Sequence, residues 1–385
     1  MKILHICLAA FYIDDYSYQE NILPKFHKKM GHEVKILASP DIFNQNGKLI
    51  VPEQLEVKRY INSDDIEVIR IPYKNYTKFG KKLKKFNDIT FFLDEYQPNL
   101  IFIHGVQFTN LNEIIEYKKN NPDTIIKIDN HADFSNSATN WVSKNILHKI
   151  IWKHQASKIE PFTTDFYGVL PARVDFLKNV YKLPEEKISL LIMGGDNDLI
   201  KKVQSDQLNK KTVFGENIKE NDFVIVTLGK INSAKKEVLE LMKAVKELSL
   251  EVKLFIYGSV SLDLQESFNQ MIDDKQIFYK GWVNNEEAYK VMLQSDLLVF
   301  PGRHSVYWEV GASLGRPMMV KKWAGTQHVN INGNVIFLEN ADKAEMIVQL
   351  KKLIDKNNIY QNLEKQAKEV ACEFEYSKIA EKSLE

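Results

Sequence analysis

The chain has 385 residues, 44% hydrophobic and 27% charged, with a formal net charge of +1 at pH 7. Such a length is the prior for two domains, the apolar share is ample for large cores, and the near-zero charge excludes a global attraction to polyanions. The two cysteines, Cys7 and Cys372, lie at opposite ends outside any metal-spaced cluster, which reads as a reducing compartment and against a zinc site.

Ile3–Ala10 is a short continuous apolar run, the pattern of a strand buried on both faces of a parallel sheet. It ends at polar Tyr12-Ile13-Asp14-Asp15, too early for a membrane span, and no leader cleavage pattern follows, so the expected location is the cytoplasm. Ile22, Phe26 and Met30 then recur at helical spacing, Gly31 ends the helix, and Glu33–Leu37 reads as a second strand. The intervening turn, Ala9–Gln19, holds no glycine, which departs from the G-x-G-x-x-G dinucleotide fingerprint.

The alternation of strands and helices continues. Val68–Ile71 is an expected strand and Phe79–Tyr96 an expected helix. The lysines of Lys78–Lys85 give that helix a basic face suited either to solvent or to an anionic membrane surface. Asn99–His104 and Thr124–Ile128 are apolar runs whose ends carry His104 and Asn130-His131. Ligands sit at the carboxyl ends of strands in doubly wound sheets, which makes both histidines site candidates. Ile188–Ile192 is a further strand, and Gly194–Asp198 followed by polar Lys201–Glu220 reads as an inter-domain link. Asp196-x-Asp198 within it is read as a hinge and turn, not as a metal motif.

The second half repeats the theme, with strands at Phe223–Leu228, Val252–Tyr257, Ile277–Tyr279, Leu297–Phe300, Met318–Val320 and Val335–Leu338. The stretch Leu298–Pro317 is the focus of this half. A strand end leads through Pro301-Gly302 and Arg303-His304 to Ser305, read as the N-cap of a helix carrying Val306, Val310 and Leu314. Gly315 fits a left-handed cap and Pro317 prevents continuation. A strand end, a turn and a helix start together form an anion site. Upstream, Gly229 at a strand end is followed by Lys230 and Lys235, two compact charges suited to a diphosphate.

These residues carry a resemblance. The second half resembles the donor domain of family 4 glycosyltransferases of GT-B fold, which join two Rossmann-like domains across a cleft. Lys230 and Lys235 occupy the positions of the family's arginine and lysine on the leaving diphosphate. Tyr257-Gly258-Ser259 resembles its strand-end glycine motif, and Phe278–Val283 resembles the segment that meets the nucleotide base through Trp282 and Val283. Glu309 matches the second glutamate of the family's acidic motif, which binds ribose. The first glutamate is missing: position 301 is proline, and the shortened loop offers His304 and Ser305 instead. In the first half, Gly31-His32-Glu33-Val34 is typical, and His131 stands where the family places a histidine beside the reacting sugar. The double glycine after the first strand is replaced by Asp14–Asn21, a polar segment.

The resemblance implies an α/β GT-B protein, with an acceptor-side domain over 1–198, a donor domain over 199–365 and a C-terminal helix over 366–385. It implies a retaining, metal-independent transfer from a nucleoside-diphosphate sugar, UDP-linked, to a hydroxyl of a glycan or lipid-linked acceptor in surface-polysaccharide synthesis. His131, Lys230 and Lys235 are the catalytic candidates. Gly229, Gly258, Ser259, Trp282, Val283, Arg303, His304, Ser305, Val306 and Glu309 are the donor-binding ones. Tyr16, Gln19, Asn21 and His104 are assigned to the acceptor side. No cofactor, metal or nucleic acid is expected, and the Lys78–Lys85 helix is the candidate for contact with the inner face of the membrane. The rival readings are a sugar-nucleotide epimerase of the same fold and a non-catalytic nucleotide-sugar-binding subunit.

Overall fold

The computed structural model describes residues 1–43, 49–51 and 56–385. The chain forms two compact units, one of Met1–Ile192 with Ala380–Glu385 and one of Met193–Ile379.

In the first unit the strands are β1 (Lys2–Cys7), β2 (Glu33–Ala38), a short antiparallel pair β3 (Ile42–Phe43) and β4 (Leu49–Ile50), then β5 (Lys58–Ile61), β6 (Glu67–Arg70), β7 (Leu100–His104), β8 (Ile125–Asn130), β9 (Asp165–Gly168) and β10 (Ile188–Leu190). Apart from the β3–β4 pair they make one sheet in the order β10-β9-β8-β7-β1-β2-β6-β5, parallel except for β5 against β6. The apolar runs foreseen from sequence supply much of its core, with Ile6 and Ile103 fully buried, and Phe166 joins them from β9, a strand not foreseen. From β1 the chain moves first to β2 on one side and later to β7 on the other. The carboxyl edge between β1 and β7 is therefore a topological switch point, where ligands bind in such sheets.

The second unit has β11 (Phe223–Leu228), β12 (Val252–Tyr257), β13 (Ile277–Gly281), β14 (Leu297–Phe300), β15 (Met318–Lys321) and β16 (Val335–Leu338). Their order is β13-β12-β11-β14-β15-β16, all parallel. The switch point here lies between β11 and β14, directly above Gly229 and Pro301.

Three expectations change. The helix expected over Phe79–Tyr96 is two short helices, Lys78–Lys82 and Thr90–Tyr96. Between them Lys84 takes φ 47° and Phe86 bridges to Tyr73, stacking on its ring at 4.4 Å. Burial of Phe86 and an Asp88 carboxylate that accepts from Thr90 N at 2.8 Å outweigh helical spacing. Lys84 leaves the basic face altogether and donates to the carbonyl of Ala9. Second, the polar link expected over 201–220 is partly helical, as Asn197–Ser205 and Lys210–Phe214. Asp196 is the N-cap of the former, accepting from Asp198 N at 2.9 Å, shortly after the division between the units at Ile192 and Met193. Third, the helix expected from Ser305 begins at Tyr307 with Val306 in the N-cap position and no side-chain cap. Ser305 contributes its carbonyl to Trp308 N instead, at 2.9 Å. The Gly315 terminus is as foreseen, with φ +65° and Arg316 N donating back to the Gly311 carbonyl. No helix among the described residues is long and apolar enough to cross a membrane.

Candidate functional site

Each unit gathers its polar side chains at its own switch point. In the second unit Gly229, at φ +115°, turns the chain off β11, and Gly258, at φ +121°, does so off β12. The two turns are stacked so tightly that a β-carbon at 258 would lie 2.0 Å from the Gly229 carbonyl oxygen. Asn232 then accepts from Ala234 N at 3.1 Å and shapes the loop that carries Lys235. The Nζ of Lys235 lies 3.5 Å, and the Oγ of Ser305 4.0 Å, from where a β-carbon at 229 would stand. Arg303 N donates to the Ala234 carbonyl at 3.2 Å, tying the β14 turn to the same loop. Lys230, Lys235, Pro301, Gly302 and Arg303 line one small cleft there. Burial, and then the Arg303 charge, lower Lys235 to about 8. Two cations held together out of water are a receptor for an anion.

Glu309 sits one helical turn behind that cleft, fully buried. Its Oε1 accepts from His304 Nε2 at 2.8 Å and from His328 Nε2 at 2.7 Å, while Oε2 is buried without a partner. Burial would raise this carboxyl, but His304 and His328 outweigh it and hold it near 2. Glu309, expected from sequence to need a hydrogen-bonding partner and to bind ribose, thus has one oxygen committed to two imidazoles and the other enclosed. His304 likewise faces Glu309, not solvent alone. Trp282 is 69% exposed and Ser259 is exposed, both on turns that follow strand ends, while Val283 is half-buried. Val306 is half-buried at the helix start.

In the first unit β7 and β8 are in register, with His104 directly opposite Asp129. His104 Nδ1 lies 2.7 Å from Asp129 Oδ2, and Gln19 Nε2 donates to the same oxygen at 3.1 Å. His131 Nε2 is 3.3 Å from that oxygen and 3.8 Å from Glu20 Oε1. Burial opposes both charges, yet Asp129 stays well below the usual carboxylate range, held by His104 and then His131. His131 is raised in turn, by Asp129 and then Glu20. Asp129 Oδ1, Gln19 Oε1 and Asn21 Oδ1 are buried acceptors without partners, and the side chain of His131 is 26% exposed.

His104, expected on the acceptor side, is enclosed. It is fully buried and both nitrogens are engaged, the second with His5 at 3.0 Å. Gln19 and Asn21 are likewise buried, and Asn21 Nδ2 donates to the Ile13 carbonyl at 2.8 Å. Tyr16 stacks on Tyr18. Glu20, His104 and His131 form one convergent group and His304, Glu309 and His328 another.

Sequence reasoning named Asp129 and Glu20 only within polar stretches and did not single out His5, His27 or His328, which the structure places beside these groups. The legible signal was His5, a lone polar residue inside the β1 apolar run. Glu20 and His27, seven apart on one helix face, were the other.

Comparison with known proteins adds the following. Residues 222–356 match the family model described as glycosyl transferases group 1. No curated protein matches in sequence. Among solved structures, HepE of Anabaena in complex with UDP is 14% identical, with 99% of this chain and 98% of that one covered and a TM-score of 0.66. Sucrose-phosphate synthase of Thermosynechococcus elongatus is 13% identical over 99% and 96%, with a TM-score of 0.68. A UDP-GlcNAc 2-epimerase of Neisseria meningitidis, bound to UDP-GlcNAc, is 12% identical over 100% and 99%, with a TM-score of 0.61. The chain thus has the GT-B fold of two parallel-sheet units.

Proposed function

We propose that this protein transfers a sugar, a hexosyl or N-acetylhexosaminyl group, from a UDP-linked donor to a hydroxyl of a glycan or lipid-linked acceptor, with retention at the anomeric carbon. The observation that carries this reading is the cationic cleft of Lys230, Lys235 and Arg303 at the second switch point. It lies within the stretch that matches the glycosyl transferases group 1 family, and UDP is the ligand of the HepE complex.

In this reading the diphosphate lies on Lys235 and Lys230, which stabilise the charge that grows as the sugar departs. A ribose hydroxyl takes the place of His304 on Glu309, and the displaced imidazole turns with Ser305 toward the diphosphate. Gly229 and Gly258 let the backbone approach, and Trp282 and Val283 bound the base. His131 holds a sugar hydroxyl, with Asp129 and Glu20 behind it. A departing phosphate oxygen takes the acceptor proton, so no metal is required. The setting is the cytoplasm at the inner face of the membrane, in surface-polysaccharide synthesis, with Lys81, Lys82 and Lys85 as the membrane-facing cations.

A panel of nucleotide sugars, scored by nucleotide release with membrane extracts as the acceptor source, tests this. Release from one UDP-sugar that depends on the extract supports it; none from any donor removes it. The epimerase reading is kept by the likeness to 2-epimerases and by the acid–base group Glu20, Asp129 and His131. Conversion of the donor sugar without any acceptor would establish it instead.

A further inference from the structure

The helix Ser143–Trp152, a π-helix, is apolar on two faces. Its inner face is spent on the first unit: His148 and Trp152 are buried, and Leu147 and Ile151 pack against the core. Its outer face should then be polar, as on an ordinary surface helix. It is not. Val142, Ile146 and Ile150, four apart, and Trp141 beside them are all exposed, Trp141 by 70% and Ile150 by 61%. Phe134 is exposed as well, and Lys144 Nζ lies 4.9 Å from its ring centroid. A lone exposed apolar side chain needs no explanation, but several gathered on one helix mark a face that meets an apolar phase.

The charges say which phase. Residues 134–159 hold four lysines and no Asp or Glu. Asp133, the acid before them, is 3.2 Å from Arg173 Nε. Lys144 and Lys149 are exposed alongside the apolar stripe. The centre of a protein interface is depleted in lysine, and a twofold contact of this face with a second copy would set lysines against lysines. An anionic bilayer suits the arrangement instead. Indole and isoleucine enter the boundary of the acyl chains, while lysine stems reach back to the headgroup phosphates.

We propose that Trp141, Val142, Ile146 and Ile150 dock this protein on an anionic lipid bilayer, with Lys144 and Lys149 on the headgroups. This gives the membrane setting proposed above an apolar anchor, and it rests on that setting and not on the transfer chemistry. The helix is fixed to the carboxyl edge of the first sheet. Asn136 Nδ2 donates to the His131 carbonyl at 2.7 Å, Ser137 Oγ lies 2.9 Å from His148 Nε2, and His148 Nδ1 lies 2.9 Å from the Tyr181 hydroxyl. Gln107 Nε2 donates to that same hydroxyl at 2.9 Å, and Thr109 N donates to the Lys84 carbonyl at 3.3 Å. The docking helix and the basic segment around Lys84 therefore border one loop after β7, at the edge that carries His131.

The test uses the full chain with vesicles of phosphatidylglycerol and phosphatidylcholine in equal parts, set against phosphatidylcholine alone. Wild type should sediment with the anionic vesicles. The triple variant Trp141→Gln, Ile146→Gln, Ile150→Gln should bind them at least about tenfold more weakly. Equal binding of the two proteins overturns the proposal, as does a wild type that binds neither vesicle or both alike. A wild-type dimer that the triple variant makes monomeric, without vesicle binding, assigns the face to a second copy and overturns it too. Should the triple variant fail to fold, brominated acyl chains in the anionic vesicles decide. They should quench wild-type fluorescence and leave Trp141→Phe little quenched; equal quenching places another indole, such as exposed Trp282, at the lipid and overturns the proposal. Vesicle binding lost in the triple variant of a protein that releases no nucleotide from any donor sinks the transferase reading and leaves this surface standing.

Discussion

Gly302 is pressed flat against Lys235: a β-carbon at 302 would lie 2.7 Å from the Lys235 Cα. The turn after β14 and the loop after β11 thus meet backbone to backbone, and Trp323 Nε1 braces the turn by donating to the Gly302 carbonyl at 3.2 Å. Gly302→Ala should move the lysine. Overpacking of this kind costs about 1–3 kcal/mol of stability. Nucleotide release should fall at least about tenfold, equivalent to about 1.4 kcal/mol. Wild-type turnover in a folded Gly302→Ala protein, checked by circular dichroism, would argue against any catalytic use of that contact.

Lys235 gives a prediction with a definite sign. Its folded value, about 8, is below the ordinary 10.5 because of burial and then Arg303. Between those two values the unfolded chain binds more protons, so this lysine makes stability rise with pH across that window. Lys235→Met should remove the rise and, at pH 7, stabilise the ligand-free protein by about 1–2 kcal/mol after allowance for solvent screening. Turnover should collapse in the same variant. Denaturant melts at pH 7 and pH 10, set beside the release assay, check both halves.

Glu309 runs the other way. Its folded value near 2 lies below the ordinary 4.5, so its contribution is present above about 4.5 and lost as pH falls toward 2. Glu309→Gln should cost about 2–3 kcal/mol at neutral pH, from the shift and the two histidines it leaves poorly matched. The difference from wild type should shrink below pH 4. UDP affinity should drop at least about tenfold, a loss of about 1.4 kcal/mol; unchanged affinity by calorimetry removes the ribose assignment.

His131 is raised above its ordinary 6.5 because Asp129 and Glu20 outweigh burial. The stability it gains is complete below that value and is lost as pH rises through the higher folded one. Asp129→Asn should lower the His131 midpoint and move the alkaline limb of the rate profile down with it. A limb that stays in place means another group is titrating.

The membrane proposal is tested with anionic vesicles at low salt. Lys82 and Lys85 are exposed, whereas Lys84 is tied to the Ala9 carbonyl. Sedimentation with vesicles that is lost in the Lys81→Glu, Lys82→Glu, Lys85→Glu triple variant supports contact. Equal sedimentation of both proteins ends the part given to those lysines.

The sequence by itself determined most of the parallel strands, though not β9, and not the antiparallel β5. Continuous apolar runs such as Leu297–Phe300 and Phe223–Leu228 leave few alternatives, because a fully apolar strand must be covered on both faces. It also determined where Lys230, Lys235 and His131 stand, since each follows a strand end within a few residues. Glu309 was legible as an important residue, but its partner His328 was not. That contact joins residues nineteen apart in the chain through the loop after β15, and no local pattern marks it. Periodicity failed over Phe79–Tyr96, where Phe86 gains more from burial against Tyr73 than from continuing a helix. Only the tertiary structure decided that His5, His27, His104 and Ser383 form one chain of contacts. Strand register sets His104 beside Asp129, a returning helix sets His27 beside His5, and the last residues of the chain supply the serine. Those three placements are long-range, and long-range contacts are what a one-dimensional reading of spacing does not contain.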